Sequence, residues 1–306
     1  MMAPTLSPSR FLDALKDEGV TIVEVGDWRD NNRNHMGPWG PVHGVMIHHT
    51  VTSGSAATVR MCRYGHASLP GPLCHGVITK DGRVHLVGYG RANHAGLGDD
   101  DVLRAVISEK APPADNEANT DGNRHFYGFE CENLGDGEDP WPKAQVEAIV
   151  RVITALCRAH KWTVRSALRH LDWQPGKIDP RGPGLDWSDI QERAAKRLGT
   201  KPPGTPLPQP QRPKVSVAKL ATAARTDPGA KGTPVSYSGT RIVEAALVDA
   251  GLLEKPLLDG HFGSATVTAY AAWQRRCGYS GKAADGIPGK SSLTRLGDAH
   301  GFAVTT

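Results

Sequence analysis

Apolar residues along the first 200 positions follow two rhythms, one of helical and one of strand period. Near the start, Phe11, Leu12 and Leu15 recur at helical spacing behind Ser7-Pro8, a capping residue followed by a first-turn proline, and Gly19 ends the run. Val42 to His48 is an apolar run of strand length, and Tyr127 to Glu132 is another. Val77 to Val87 alternates around Asp81-Gly82, which predicts a hairpin. The clearest helix opens at Pro142, with Val146, Ile149, Val150, Ile153, Leu156 and Cys157 on one face before Lys161. A further helix is predicted from about Trp187 to Leu198, stopped at Gly199. Strands interleaved with amphipathic helices predict an α/β domain in which helices cover one sheet.

The rhythm breaks at Lys201 to Pro213, KPPGTPLPQPQRP, where six of thirteen residues are proline. This composition favours extended polyproline backbone at ~3.1 Å per residue, a semi-rigid spacer of roughly 40 Å. Residues 214–235, with Ala, Thr and Gly, are expected to lengthen the tether. The predicted organisation is a domain over 1–200, a linker over 201–235 and a smaller all-α domain over 236–306. In that last part Asp259-Gly260 and Gly263 make a turn before a helix whose Val267, Tyr270, Ala271 and Trp273 face inward. Asp285-Gly286 with Pro288-Gly289 repeats the turn chemistry. Helical spacing assigns Trp273 to a core rather than to a ligand-stacking surface.

With 306 residues, 39% hydrophobic and 22% charged, the chain can bury full cores, and its length suits two domains. No window approaches ~18 uninterrupted apolar residues, so membrane insertion is not expected. The start MMAPTLSPSRFLDALKDEG lacks the apolar segment of a secretory signal, which predicts synthesis in a cytoplasm. Five cysteines, Cys62, Cys74, Cys131, Cys157 and Cys277, are odd in number and irregular in spacing, which argues against a disulfide framework. Cys62, His66, Cys74 and His75 are metal-binding residue types, although packing explains them more simply. Charge is uneven: residues 203–306 hold 12 Lys+Arg against 7 Asp+Glu, and the remainder holds 24 against 25. The positive excess suits an anionic surface, but no dense basic run interleaved with aromatics supports nucleic-acid binding.

Candidate chemistry concentrates in two segments, GVMIHHT (44–50) and HLDWQPGKIDP (170–180). Together they offer two imidazoles and a carboxylate, a set that leaves one tetrahedral position of a zinc ion open for water. His48 and His49 are neighbours on a predicted strand and so face opposite ways. Alternation groups His48 with Met46 and His49 with Val45 and Ile47, without saying which face holds a metal. His170 and Asp179 lie on a loop whose Pro175-Gly176 and Pro180 favour reversal.

GVMIHHTVT, CHGVITKDGRVHLVGYGRANHAG, GFECEN and HLDWQPGKIDPRGPG, in this order over roughly residues 40–185, resemble the zinc-dependent N-acetylmuramoyl-L-alanine amidases of type 2, a family that includes phage endolysins and is related to peptidoglycan recognition proteins. The resemblance implies a mixed sheet flanked by helices, Zn2+ as cofactor, and His48, His170 and Asp179 as its ligands. It further implies that Glu130 handles the proton of the attacking water and that Lys177 stabilises negative charge on the attacked carbonyl. Glu132, two residues on, would share the strand face of Glu130, so that choice follows the motif alone. His94, in NHAG, resembles a segment lining the family's substrate groove and is a substrate-binding candidate. Many relatives carry a tyrosine where this chain has Cys74 before His75, so any role of that tyrosine is absent or reassigned. The loop from His170 to Pro175 is also one residue shorter than in some relatives.

DGHFGSATVTAYAAWQRRCGY followed by DGIPGKSSLTRLG resembles the small helical peptidoglycan-binding domain attached to many wall hydrolases. The expectation is a phage-type endolysin that cuts the amide between N-acetylmuramic acid and L-alanine in bacterial peptidoglycan. It would accumulate in the host cytoplasm until release. A non-catalytic peptidoglycan receptor and a zinc endopeptidase acting within the stem peptide are the alternatives. Oligomeric state is not legible in the sequence.

Overall fold

The computed structural model describes residues 5–66, 68–200, 202, 213–226 and 234–306. Most of the proline-rich stretch Lys201 to Pro213 therefore lies outside the described residues, as do residues 227–233 of the predicted tether. The chain divides into two compact units, Met1–Pro210 and Gln211–Thr306. Among the described residues no helix is long and apolar enough to cross a membrane.

The first unit is built on a six-stranded sheet. Its strands are β1 (Ile22–Glu24), β2 (Gly44–His49), β3 (Gly76–Ile78), β4 (Val84–Leu86), β5 (Phe126–Cys131) and β6 (Ala167–Arg169), in the spatial order β1-β4-β3-β5-β2-β6. Only the β3–β4 hairpin is antiparallel; it turns through Gly82 at φ +79°. The other four pairings are parallel. The sheet is mixed and flanked by helices, as the sequence resemblance implied.

Both faces of the sheet are covered, which is why the central strands read as continuous apolar runs. On one face Val45, Ile47, Tyr127 and Phe129 pack against α1 (Pro8–Asp17), α4 (Lys143–His160) and α5 (Trp187–Leu198). Ser7 caps α1 by accepting from the Arg10 amide, and Phe11 stacks on Tyr127. On the other face Met46, Phe126 and Leu168 pack with α3 (Asp100–Ile107) and Trp173. Val77 on that side meets Val59 and Cys62 of α2 (Ser55–Tyr64). Neither α2 nor α3 is predicted from the apolar pattern. The first hides its signal behind small and polar residues, and the second opens on Asp99, whose side chain accepts from the Asp101 amide.

The second unit packs α6 (Val217–Thr226), α7 (Thr240–Asp249), α8 (Ser264–Arg276) and α9 (Lys290–His300) around Leu220, Leu247, Phe262, Tyr270, Leu293 and Phe302. Trp273 packs against this core and donates its indole N–H to the Ser292 carbonyl at 2.9 Å, in keeping with the inward reading. Residues 214–226, expected to be tether, belong to the unit instead. β7 (Lys214–Ser216) pairs in parallel with β8 (Ala303–Thr305), and Val215, Leu220, Ala223 and Ala224 are buried. The helical domain thus also carries a two-stranded ribbon.

Candidate active site

β2 and β5 run parallel with His48 opposite Glu130, so both side chains leave the same face near the carboxyl ends of the strands. Phe126, Gly128 and Glu130 share this face with Met46 and His48. His49 goes to the other side, against Gly135, and its Nδ1 makes no hydrogen bond. β6 lies beside β2, with Arg169 opposite Ile47, and the chain passes directly from Arg169 to His170. The loop from His170 to Pro180 then folds back. The Leu171 amide donates to the Asp179 carbonyl at 2.8 Å, that of Trp173 to His170 at 3.0 Å and that of Lys177 to Gln174 at 3.1 Å. Gly176 takes φ +85° at the reversal, and the fully buried Trp173 pins the loop by donating to the Ala95 carbonyl at 2.9 Å.

The result is a convergence of three donor atoms. His48 Nδ1 lies 3.0 Å from His170 Nδ1, His170 Nδ1 lies 3.2 Å from Asp179 Oδ2, and His48 Nδ1 lies 3.4 Å from Asp179 Oδ2. All three residues are buried, and their ligand atoms form a group able to hold a metal ion. The edge of a tetrahedron with bonds of ~2.0 Å is about 3.3 Å, so this triangle has the dimensions of one face of a zinc coordination sphere. Protonation states agree with that use. Burial, with the neighbouring His170, pushes His48 down to about 4 and so holds it neutral. Burial alone would raise Asp179, but the adjacent His170 and His48 outweigh it and keep the carboxylate well below its usual range. One anion and neutral imidazole are the forms that ligate metals.

Glu130, His94, His170, Lys177 and Asp179 line one cleft of about 390 Å³, together with His49 and the exposed apolar side chains of Val51, Leu69 and Ile178. Glu130 is half-buried, and its Oε2 is shielded without a hydrogen-bond partner. Burial, reinforced by Asp179 and partly offset by Lys177, pushes its carboxyl up to about 8. Lys177 is an exposed side chain on the loop rim. Glu132 is elsewhere: β5 ends at Cys131, and the Glu132 carboxylate accepts from the Gly54 amide at 2.9 Å and the Ser55 hydroxyl at 2.7 Å at the start of α2.

Cys74, at the position of the relatives' tyrosine, is fully buried beside Cys62, and burial raises its thiol. His75 is satisfied by the Gly90 carbonyl at 2.8 Å and the Gly128 amide at 2.9 Å, and His66 is exposed, so Cys62, His66, Cys74 and His75 make no second metal set. His94 is only 8% exposed, deep in the cleft and against His48. Sequence reading did not single out Trp173, Asn123 or Gln174 around the site. Each acts through a tertiary contact that no local pattern announces.

Residues 38–182 match a protein-family model described as N-acetylmuramoyl-L-alanine amidase. A comparison with curated proteins gives no match. Among solved structures, the endolysin amidase LysCS from Clostridium intestinale aligns at 18% identity over 59% of this chain and 97% of its own, with a TM-score of 0.35. The amidase AmiD from E. coli, in complex with anhydro-N-acetylmuramic acid-L-Ala-D-γ-Glu-L-Lys, aligns at 14% identity over 86% and 92%, with a TM-score of 0.38. A mutant endolysin from Bacillus subtilis aligns at 18% identity over 57% and 99%, with a TM-score of 0.37.

Proposed function

We propose, for a chain whose residues 38–182 are a domain of the N-acetylmuramoyl-L-alanine amidase family, a zinc-dependent hydrolysis of the amide joining N-acetylmuramic acid to L-alanine. The observation that carries the zinc reading is the buried triangle of His48 Nδ1, His170 Nδ1 and Asp179 Oδ2, with edges of 3.0 to 3.4 Å. Two imidazoles and one carboxylate would hold the ion and leave a position open. Zinc in such a site acts as a Lewis acid toward a carbonyl and lowers the pKa of water to ~7.

The chain's own groups divide the remaining work. Glu130, on the strand beside His48, has one oxygen committed to no other group and is placed to take the proton of an attacking water and return it to the leaving amine. Lys177 is the cation of the cleft lining and offers its ammonium to the oxygen on which negative charge develops. His49 also reaches the cleft lining, but its ring stands against Gly135 outside the triangle, and it is given no role.

The same proposal extends to the whole chain. The second unit binds the wall and holds the first on insoluble peptidoglycan, and the protein serves as a phage-type endolysin. Support for both comes from the sequence resemblances in the two halves and from the positive charge of the C-terminal one. Mass spectrometry of digested peptidoglycan tests the activity. Free L-alanine amino termini are expected; new cuts between stem residues would select a peptidase, and unchanged walls a receptor. Chelation should abolish lysis and zinc restore it, with about one zinc per chain in the active protein.

A further inference from the structure

His94 lies behind His48, and both of its ring nitrogens are engaged. Nε2 is 3.2 Å from the Phe126 carbonyl, and Nδ1 is 3.1 Å from His48 Nε2. A carbonyl can only accept, so the proton of a neutral His94 sits on Nε2 and its Nδ1 is a lone pair. His48 Nε2 must then donate. A neutral imidazole protonated on Nε2 presents its lone pair at Nδ1, and Nδ1 is the His48 atom that faces His170 and Asp179. A single backbone carbonyl thereby sets the hydrogen order of two rings in series.

The slot for His94 is built. A Cβ on Gly128 would come within 2.5 Å of the ring, so the strand is stripped to hydrogen where the imidazole lies against it. The backbone amides of His94 and Ala95 both donate to Asn123 Oδ1 at 2.8 Å, and Trp173 grips the Ala95 carbonyl. His170 is served in the same way from its own loop, with Nε2 3.3 Å from Gln174 Oε1 and Nδ1 turned to the triangle.

We propose that His94 is a positioning residue for His48, fixing the Nε2-protonated tautomer so that Nδ1 is presented to the metal, and that it does not bind substrate. This rests on the zinc reading above and deepens it. Partners of this kind orient ligand rings and raise their basicity, and losing one typically costs ~10 to 100-fold in metal affinity.

Nitrogen-15 NMR of the metal-free full chain reads the tautomer directly. Wild type should show a pyrrole-like Nε2 and a pyridine-like Nδ1 at His48, and a proton on Nδ1 would overturn the proposal whatever the variants do. In His94→Phe the preference should disappear, and competition with a chelator should show zinc held ~10 to 100-fold more weakly. His94→Gln keeps an acceptor for His48 and a donor for Phe126, and should recover most of that affinity. KM for a soluble muropeptide should stay within about twofold at saturating zinc, since positioning acts through the metal. Wild-type zinc affinity in His94→Phe, or a raised KM at full zinc occupancy, would return His94 to the substrate groove. If wild type binds no zinc, the zinc reading fails by itself, while the tautomer measurement still decides the role of His94.

Discussion

Glu130 and Glu132 are the same residue type two positions apart, yet one lies beside the triangle of His48, His170 and Asp179 and the other accepts from the start of a helix. Strand alternation would place both on one face. They separate because β5 stops at Cys131, after which the chain turns and Glu132 meets the amide of Gly54. The choice between His48 and His49 has the same character: alternation shows that they diverge, the resemblance favours His48, and it is His48 that meets His170 and Asp179 across space. What a sequence pattern lacks at this scale is the partner across space. The proposed roles separate by assay. Glu130→Gln and Lys177→Ala should each lower turnover on a soluble muropeptide by ~100-fold or more while metal analysis still finds zinc, because neither group belongs to the triangle. His170→Ala should lose both zinc and turnover. Wild-type rates for Lys177→Ala would make it an ordinary loop lysine.

Elements with long amphipathic patterns were legible almost to the residue. α5 spans Trp187–Leu198 as its spacing predicts, and α4 begins one residue after Pro142. The order β1-β4-β3-β5-β2-β6 was not legible, since parallel neighbours distant in sequence leave no local trace. The end of α4 carries a cost that can be removed. Lys161 sits there in the left-handed conformation, φ 61° and ψ 33°, which glycine adopts freely. Lys161→Gly should stabilise the first unit by about 0.5–1 kcal/mol, read as a rise in melting temperature. In α7, Glu244 is buried and accepts from the Gly260 amide and the Thr266 hydroxyl, and burial raises its carboxyl to about 7. A raised acid binds its proton more tightly in the folded state, so its contribution is fully present below the ordinary 4.5 and is lost as pH rises to about 7. The second unit should therefore melt lower at pH ~8 than at pH ~5 as far as this group decides it. Glu244→Gln, which can accept from Gly260 and donate to Thr266, should melt higher than wild type at the upper pH and show a flatter profile. An unchanged slope would assign the pH dependence to other groups.

At the scale of the whole molecule, two units with separate cores were legible from the proline-rich break, but the start of the second was not. Val215, Leu220, Ala223 and Ala224 are buried, yet two of the four are alanines and the strand that holds Val215 finds its partner at the far end of the unit. If the second unit acts as a wall anchor, cutting between the units should leave residues 1–210 active on soluble muropeptides while lysis of whole walls falls much further. That is the effect of lost local concentration rather than lost catalysis. Equal fractional loss on both substrates would mean that the second unit supports the first one's fold.

The ribbon of β7 and β8 has a further meaning for how this unit is joined to anything else. Lys214 lies opposite Ala303 and Ser216 opposite Thr305, so the unit's first and last described strands stand side by side. Because the pair is parallel, the chain enters at Lys214 and leaves the ribbon at Thr305 on its opposite end, two residues further along, so the two points are roughly 8 Å apart, close enough for the unit to be set into a loop of another chain with little movement of the host ends. Removing residues 303–306 would take away the partner of Lys214 to Ser216 and so unlatch the beginning of the unit along with its end, read as a lower melting temperature of the second unit.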